Sequence, residues 1–252
     1  MRATTLDRTL AALAPVTLDE LDEFARLQTR TDRKYLLTPE QFTGLLSLVG
    51  DSSRALDVDG RRSFGYESRY FDTPALDSYL GAAHRRPRRF KVRTRRYLDS
   101  GACFVEVKLR DARGRTLKHR HTHPASLAGT LTDGSRAFLS CFELVQPCLP
   151  GLEPVLTTRY DRSTIVTGGS RATIDIGLRC STGARTAGPA HTVIVETKTP
   201  HGPSDVDRAL WAMHIRPLKV SKFAMGMATL HPDLPRNKWH RALSLHPWTA
   251  LA

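Results

Sequence analysis

Sulfur, acid and long apolar runs are all in short supply in this sequence. Four cysteines stand among 252 residues, at Cys103, Cys141, Cys148 and Cys180, and none forms a CxxC pair. That argues against a disulfide-stapled scaffold or a structural zinc site, and fits a reducing cytoplasm. No apolar run approaches the roughly 20 residues that a helical membrane span needs. The opening stretch MRATTLDRTLAALAPV is interrupted by Asp7 and Arg8, so it does not read as a secretory signal. There is no Walker loop, no GxSxG and no dinucleotide fingerprint, which removes three common nucleotide and acyl chemistries. No internal repeat or long low-complexity stretch is visible. Acid is scarce relative to base: 25 carboxylates face 38 lysines and arginines, a formal net charge of +13. Such a surplus gathers polyanions, among which nucleic acid, nucleotides, polyphosphate and an acidic membrane surface all qualify.

What is present is a series of short alternating segments. Thr17 and Glu20 stand at capping-box spacing ahead of an amphipathic stretch, which predicts an early helix. TRTDRKYLL alternates like a strand and runs into TPEQFTGLLSLV, where Thr38 is the expected N-cap, Pro39 the first helical residue and Gln41 the partner that closes the box. FGYESRYFD at 64–72 predicts a strand, and ALDSYLGAAH a short helix after it. RRFKVRTRRYL and ACFVEVKLRD read as a hairpin joined at Asp99, Ser100 and Gly101, and RGRTLKHRH continues the meander after a turn over Asp111 to Gly114. Residues 124–148 read as mostly helical. PVLTTRYDRSTIV, RATIDIGLRC and HTVIVETKTP add three more strands, and SDVDRALWAMHI a helix capped by Ser204 with Asp207 three residues on. Seven or eight short strands predict an α+β fold in which an antiparallel sheet closes, or nearly closes, into a barrel with flanking helices.

Residues two apart on a strand share a face, so alternation alone sorts the charges. Arg93 and Arg95 share a face, and Glu106, Lys108 and Arg110 oppose Val105, Val107 and Leu109. Arg171 and Asp175 oppose Ala172, Ile174 and Ile176, while Glu196 and Lys198 oppose Val193 and Val195. Asp32 and Lys34 share a face, and Arg162 lies with Tyr160 and Thr164. One such strand would be an ordinary solvated edge. Recurrence on at least five strands, mainly positive, suggests helices over the aliphatic face and an ionic interior facing an anionic ligand, because partly desolvated like charges repel. Arginine forks and lysine point charges together suit successive phosphoryl groups.

Other constellations carry less. His119, His121 and His123 alternate with metal-like spacing but sit among arginines, as a solvated strand edge would. The run HRRPRRFK at 84–91 suits either nucleic acid or an approach to the phosphate site. Asp205 and Asp207 read as helix-start residues rather than ligands, and Cys103 as a structural strand residue.

The segments RTDRKYLL, RYFDTP, KVRTRRY, VEVKLR, TRYDRSTI, RATIDIG, VIVETK and LKVSKF occur in the order of one family. Across about Arg30 to Leu230 the chain resembles the catalytic domain of the vacuolar transporter chaperone complex, a polyphosphate polymerase of the triphosphate tunnel metalloenzyme superfamily. The residues read as a helical segment over 1–28 and a proline-punctuated, peripheral tail over 232–252, and the resemblance implies a tunnel domain over 29–231. It further implies that Lys34, Arg93, Arg95 and Lys108 are catalytic. Arg162, Arg171, Lys198, Lys219 and Lys222 would bind phosphate, and Glu196 a divalent metal, Mn2+ or Mg2+. The implied substrates are a nucleoside triphosphate, ATP for preference, and inorganic polyphosphate, with no specific nucleic acid. The implied setting is cytoplasmic, reaching a membrane only through a partner protein. Hydrolytic relatives begin with an ExExK strand. Here those positions are Arg30, Asp32 and Lys34, and the missing carboxylate tilts the expectation from a tripolyphosphatase or nucleoside triphosphatase toward a polymerase. A non-catalytic binding module is the remaining alternative.

Overall fold

Thr38 and Gln41 cap each other: the Gln41 amide donates to Thr38 Oγ1 at 3.2 Å and the Thr38 amide to Gln41 Oε1 at 2.9 Å. Pro39 occupies the first helical position, where no N–H is needed. The predicted strand-to-helix junction is therefore present. In the computed structural model the described residues are 5–25, 31–200 and 202–251. Thr29 and Arg30, expected at the start of the first long strand, lie outside them.

The chain opens with α1 (Thr5–Ala11), β1 (Ala14–Val16), α2 (Leu18–Ala25), β2 (Thr31–Leu37), α3 (Pro39–Val49), β3 (Ser53–Leu56), β4 (Phe64–Asp72) and α4 (Asp77–Ala83). It continues through β5 (Arg89–Tyr97), β6 (Cys103–Arg110), β7 (Thr116–Thr122), α5 (Asp133–Ser140), β8 (Glu153–Thr167) and β9 (Ser170–Thr182). It ends with β10 (Arg185–Pro189), β11 (Val193–Thr199), α6 (Asp205–Ala212), α7 (Lys222–Leu230), α8 (His240–Leu245) and β12 (Trp248–Ala250). The strands form one sheet in the order β12-β10-β9-β8-β4-β5-β6-β7, with β11 and then β2 added on β9, and β3 and then β1 on β8. The long ladders are antiparallel, and the short β1 runs parallel to β3. This is the α+β, antiparallel barrel-type architecture that the alternation predicts. Among the described residues, β2 pairs only with β11 and β7 only with β6. β9 serves two neighbours on one edge by dividing its length: Arg171 to Asp175 face β11, while Cys180 to Thr182 face β10. Gly177, at φ +62°, sits at the change of partner, in backbone space that side-chain-bearing residues rarely enter.

Two compact units make up the chain. The first comprises the described residues of 1–64, 160–177 and 189–220. Its core joins Tyr35 and Leu37 of β2, Val193 and Val195 of β11, and Ala172 and Ile174 of β9 to Phe42, Leu45, Leu46 and Val49 of α3 and Val206 and Leu210 of α6. Each large side chain fully buried there contributes about 1.5–3 kcal/mol. Every second residue of these strands is spent on the core, and the intervening ones are left to the opposite face.

The second unit comprises the described residues of 65–159, 178–188 and 221–252. Phe71, Phe90, Val92, Val105 and Val107 pack on Leu131, Leu139, Val145 and Leu152. The segment after Pro232, expected to be peripheral, belongs to this unit. Trp239 is 2% exposed and Trp248 7%. Tyr79 donates its hydroxyl to the Pro235 carbonyl at 3.0 Å, and the Leu251 amide donates to Thr186 O at 2.9 Å. Its elements span only three to six residues, too short to show a period in the sequence. The same shortness concealed β1, β3 and β10, so twelve described strands replace the expected seven or eight.

Candidate functional site

In the first unit, register gathers the charged face of three strands. Lys34 on β2 stands opposite Glu196 on β11, and Asp32 opposite Lys198. On the other side of β11, Thr173 of β9 stands opposite Glu196, and Arg171 opposite Lys198. Glu196 is held from both ends: Lys34 Nζ contacts Oε1, and Lys198 Nζ lies 3.3 Å from Oε2 and 3.5 Å from Thr173 Oγ1. Arg162 on β8 makes a two-pronged bond to Asp175 at 2.6 and 2.8 Å, and its guanidinium lies 5.3 Å from the Tyr160 ring centre.

These charges set one another's protonation. Burial pushes Glu196 up, but Lys198, Lys34 and Arg162 outweigh it and hold the carboxylate well below the usual range. Burial lowers Lys198 to about 7; Glu196 opposes the shift, while Lys34 and Arg162 add to it. Burial also works against charge on Arg162, yet Asp175 raises it well above its ordinary value. The cluster sets Lys34, Lys198 and Arg162 around Glu196, with Asp175 paired to Arg162. Lys219 follows Leu218, whose amide donates to the Lys34 carbonyl at 2.8 Å, and its side chain is exposed.

In the second unit the same logic recurs on β4 to β7. Lys91, Arg93 and Arg95 of β5 share a face, while Phe90 and Val92 take the core. Arg93 stands opposite Glu106, and Lys91 opposite Lys108, which in turn stands opposite Lys118 of β7. Glu106 is 2% exposed, with Arg93 Nη2 at 2.6 Å from Oε2 and Lys118 Nζ at 2.5 Å from Oε1. Arg93 also donates to Tyr70 OH at 3.1 Å, and Arg95 Nε donates to Ser68 Oγ at 3.3 Å. Aromatic rings lie against the cations: Tyr66 under Arg95 at 5.5 Å, Phe223 under Lys91 at 5.0 Å and Phe104 under Arg120 at 4.9 Å. Such contacts hold a guanidinium or ammonium without neutralising it. Burial would raise Glu106, but Arg93, Arg95 and Lys118 keep it ionised far below its ordinary range. Lys118 is 44% exposed at its side chain, yet partial desolvation of its ammonium pushes it down to about 8, with Glu106 opposing and Arg93 and Arg95 adding to the shift. Lys108 is exposed; Lys222 opens α7, directly after the cap Ser221, whose own hydroxyl receives Lys91 Nζ at 3.2 Å.

Of the residues expected from the sequence, Lys34, Arg162, Arg171, Glu196, Lys198 and Lys219 thus fall in the first unit, and Arg93, Arg95, Lys108 and Lys222 in the second. Sequence reasoning missed Lys118, and it passed over Glu106 as an anchor. Both were readable in principle, since Glu106, Lys108 and Lys118 follow once the hairpin register is fixed. It also missed the supporting face of Tyr66, Ser68 and Tyr70, although their alternation was in view.

The other constellations resolve into packing. His119 and His121 lie against Phe142 and Phe138, with ring centres 5.0 and 5.4 Å apart. His123 is buried between Ser135 Oγ at 2.7 Å and the Leu127 carbonyl at 2.9 Å. Among the described residues no group of three His, Cys, Asp or Glu side chains is arranged to hold a metal ion. Both oxygens of Glu196 are in ion pairs, with Lys34 and Lys198. A divalent ion held there would have to displace one of those ammoniums and take most of its other ligands from substrate oxygens and water, as Mg2+ commonly does.

The VTC domain family model matches residues 29–231. A Hippeastrum adenylyl cyclase homologue, described as having a dominant triphosphatase activity, aligns with a TM-score of 0.51 at 15% identity, over 78% of this chain and 94% of its own. That likeness establishes a shared fold, the triphosphate tunnel fold. A proposed adenylate cyclase from Vibrio parahaemolyticus aligns at 0.49 and 13% identity over 80% of this chain and 99% of its own. Another from Bacillus halodurans aligns at 0.48 and 15% over 77% and 94%. No curated protein matches the sequence.

Proposed function

The chain belongs to the VTC domain family, and from that premise we propose that it is a polyphosphate polymerase, moving the γ-phosphate of a nucleoside triphosphate onto a growing polyphosphate chain. The observation that carries this reading is the convergence of Lys34 and Lys198 on a single carboxylate, Glu196, with Arg162 beside them. Phosphoryl transfer spreads charge over the equatorial oxygens, so catalysis rests on positioned cations rather than covalent chemistry. A terminal phosphate oxygen attacks the γ-phosphorus in line, the bond to the β–γ bridging oxygen breaks, and nucleoside diphosphate leaves. In the first unit, Lys34 is assigned to the charge of a reacting phosphoryl group, and Arg162, Arg171, Lys198 and Lys219 to phosphate binding. In the second, Arg93, Arg95 and Lys108 are assigned to phosphoryl charge and Lys222 to phosphate binding. A divalent ion, Mn2+ or Mg2+, when bound through Glu196 and substrate oxygens, would supply further charge neutralisation. ATP is the expected donor, and delivery of product to a membrane protein from a cytoplasmic site is part of the proposal.

A metal-dependent tripolyphosphatase or nucleoside triphosphatase is the second reading, favoured by the activity described for the Hippeastrum protein. The two separate on acceptor dependence. ADP release from ATP with Mn2+ should accelerate when short polyphosphate is added as acceptor. A hydrolase would instead be slowed by a competing anion and release free phosphate throughout, and a binding module would release nothing.

Lys118 adds a pH prediction. Its folded value of about 8 lies below the ordinary 10.5. Between those values the unfolded chain holds the extra proton, so the stability contribution of this group rises with pH there. Anion binding runs the other way, because a cation is lost as pH climbs through about 8. Tripolyphosphate affinity, measured by titration calorimetry, should fall between pH 7 and pH 9, and Lys118→Met should flatten that fall. An identical pH profile in the variant would remove Lys118 from the binding face.

A further inference from the structure

Asp207 serves more strand residues than a helix start requires. It is fully buried on α6, within the first unit. Its Oδ2 caps the helix by accepting from the Ser204 amide at 2.8 Å and the Ser204 hydroxyl at 2.9 Å, and it also receives Arg33 Nη1 at 3.2 Å. Its Oδ1 accepts from Tyr35 OH and from Thr197 Oγ1, each at 2.7 Å. Arg33 and Tyr35 flank Lys34 on β2, and Thr197 separates Glu196 from Lys198 on β11. Arg33 and Thr197 are cross-strand partners, next in register to Lys34 and Glu196. Trp211, one turn along α6, donates its indole N–H to the same Tyr35 hydroxyl at 3.0 Å.

We propose that Asp207 is a positioning residue that fixes β2 against β11 from the core side of the sheet, and so fixes Lys34 and Lys198 on Glu196. Among the described residues β2 pairs with no strand but β11, so its register rests on β11, on the Leu218 amide bonded to the Lys34 carbonyl and on what grips it from behind. A slip of one residue would turn Lys34 to the core and Tyr35 to the charged face. A charged acceptor shared by both strands opposes that slip, because its buried donors have no other acceptor of equal strength. This inference rests on the polymerase reading only for its turnover measurement.

The test compares Asp207→Asn with Ser204→Ala. Asparagine keeps the shape but removes the charge and one acceptor. The alanine variant loses the serine-hydroxyl half of the cap and leaves the Tyr35 and Thr197 bonds intact. The expected result is a kcat loss of about 10- to 100-fold in Asp207→Asn with KM raised about tenfold, the scale that small misplacements of reacting groups produce. Ser204→Ala should melt earlier with kcat intact. Adding Lys34→Ala to Asp207→Asn should then cost much less than it does in the unaltered chain. Should Asp207→Asn fail to fold, Tyr35→Phe combined with Thr197→Val removes the two Oδ1 bonds and is read the same way. Tripolyphosphate affinity, measured in parallel, should drop about tenfold in Asp207→Asn alone. An inactive unaltered protein would sink the polymerase reading and leave this binding comparison to judge Asp207. Full kcat and affinity in Asp207→Asn, or an undiminished Lys34→Ala effect, would overturn the positioning role.

Discussion

Lys34→Ala should lower turnover by roughly 100- to 1,000-fold, the range that loss of one preorganised charge donor produces, while the protein stays folded. Lys34 is partly exposed on an edge strand, and its ammonium contributes to the charged face rather than to the core. Its truncation leaves Glu196 paired with Lys198, so no buried carboxylate is stranded. The neighbours that hold β2, Tyr35 and Leu37, remain in the core cluster. Folding should therefore change little, and the loss should fall on the step in which charge develops on the transferred phosphoryl group. Steady-state ADP release together with a thermal melt checks both halves. A folded variant with an unchanged rate would remove Lys34 from the reaction.

Arg162→Met should act in the opposite sense, mainly on stability. Asp175 is 1% exposed, and Arg162 holds both of its oxygens. Removing Arg162 takes away the two-pronged bond to the buried Asp175, and breaking such a buried pair costs about 3–5 kcal/mol. Replacing both partners, Arg162→Met with Asp175→Leu, should restore most of that loss, because a well-packed apolar pair carries no desolvation penalty. Urea unfolding of the single and double variants measures the difference. Equal destabilisation in the two would mean that the pair contributes by packing rather than by charge. In both variants phosphate binding should weaken, since the double variant restores the fold without restoring the cation.

Much of this organisation is legible in the residues because it is local. The Thr38 and Ser204 caps form as their spacing predicts. The aliphatic halves of VEVKLR and VIVETK are in the core, as strand alternation requires. What the sequence does not announce is set across strands. Nothing near Arg162 predicts that Asp175, on the next strand, will occupy its guanidinium, and nothing near Glu106 predicts Lys118 on its far side. Register depends on turn geometry and on the whole buried face. The tail misleads for a different reason: its prolines look like surface punctuation, while its tryptophans are buried in the second unit. Asp207 was readable as a helix-start residue and is one, yet its bonds to Tyr35 and Thr197 span 172 and 10 residues and have no local signature.

The central claim is that these cations serve chain growth. It is tested most directly by incubating the purified protein with ATP and Mn2+ and resolving the products on a polyphosphate-staining gel, with ADP and free phosphate measured alongside. A ladder of long chains is the expected product, with ADP released in equal amount to the phosphate incorporated. Free phosphate matching the ADP, with no ladder, would contradict it.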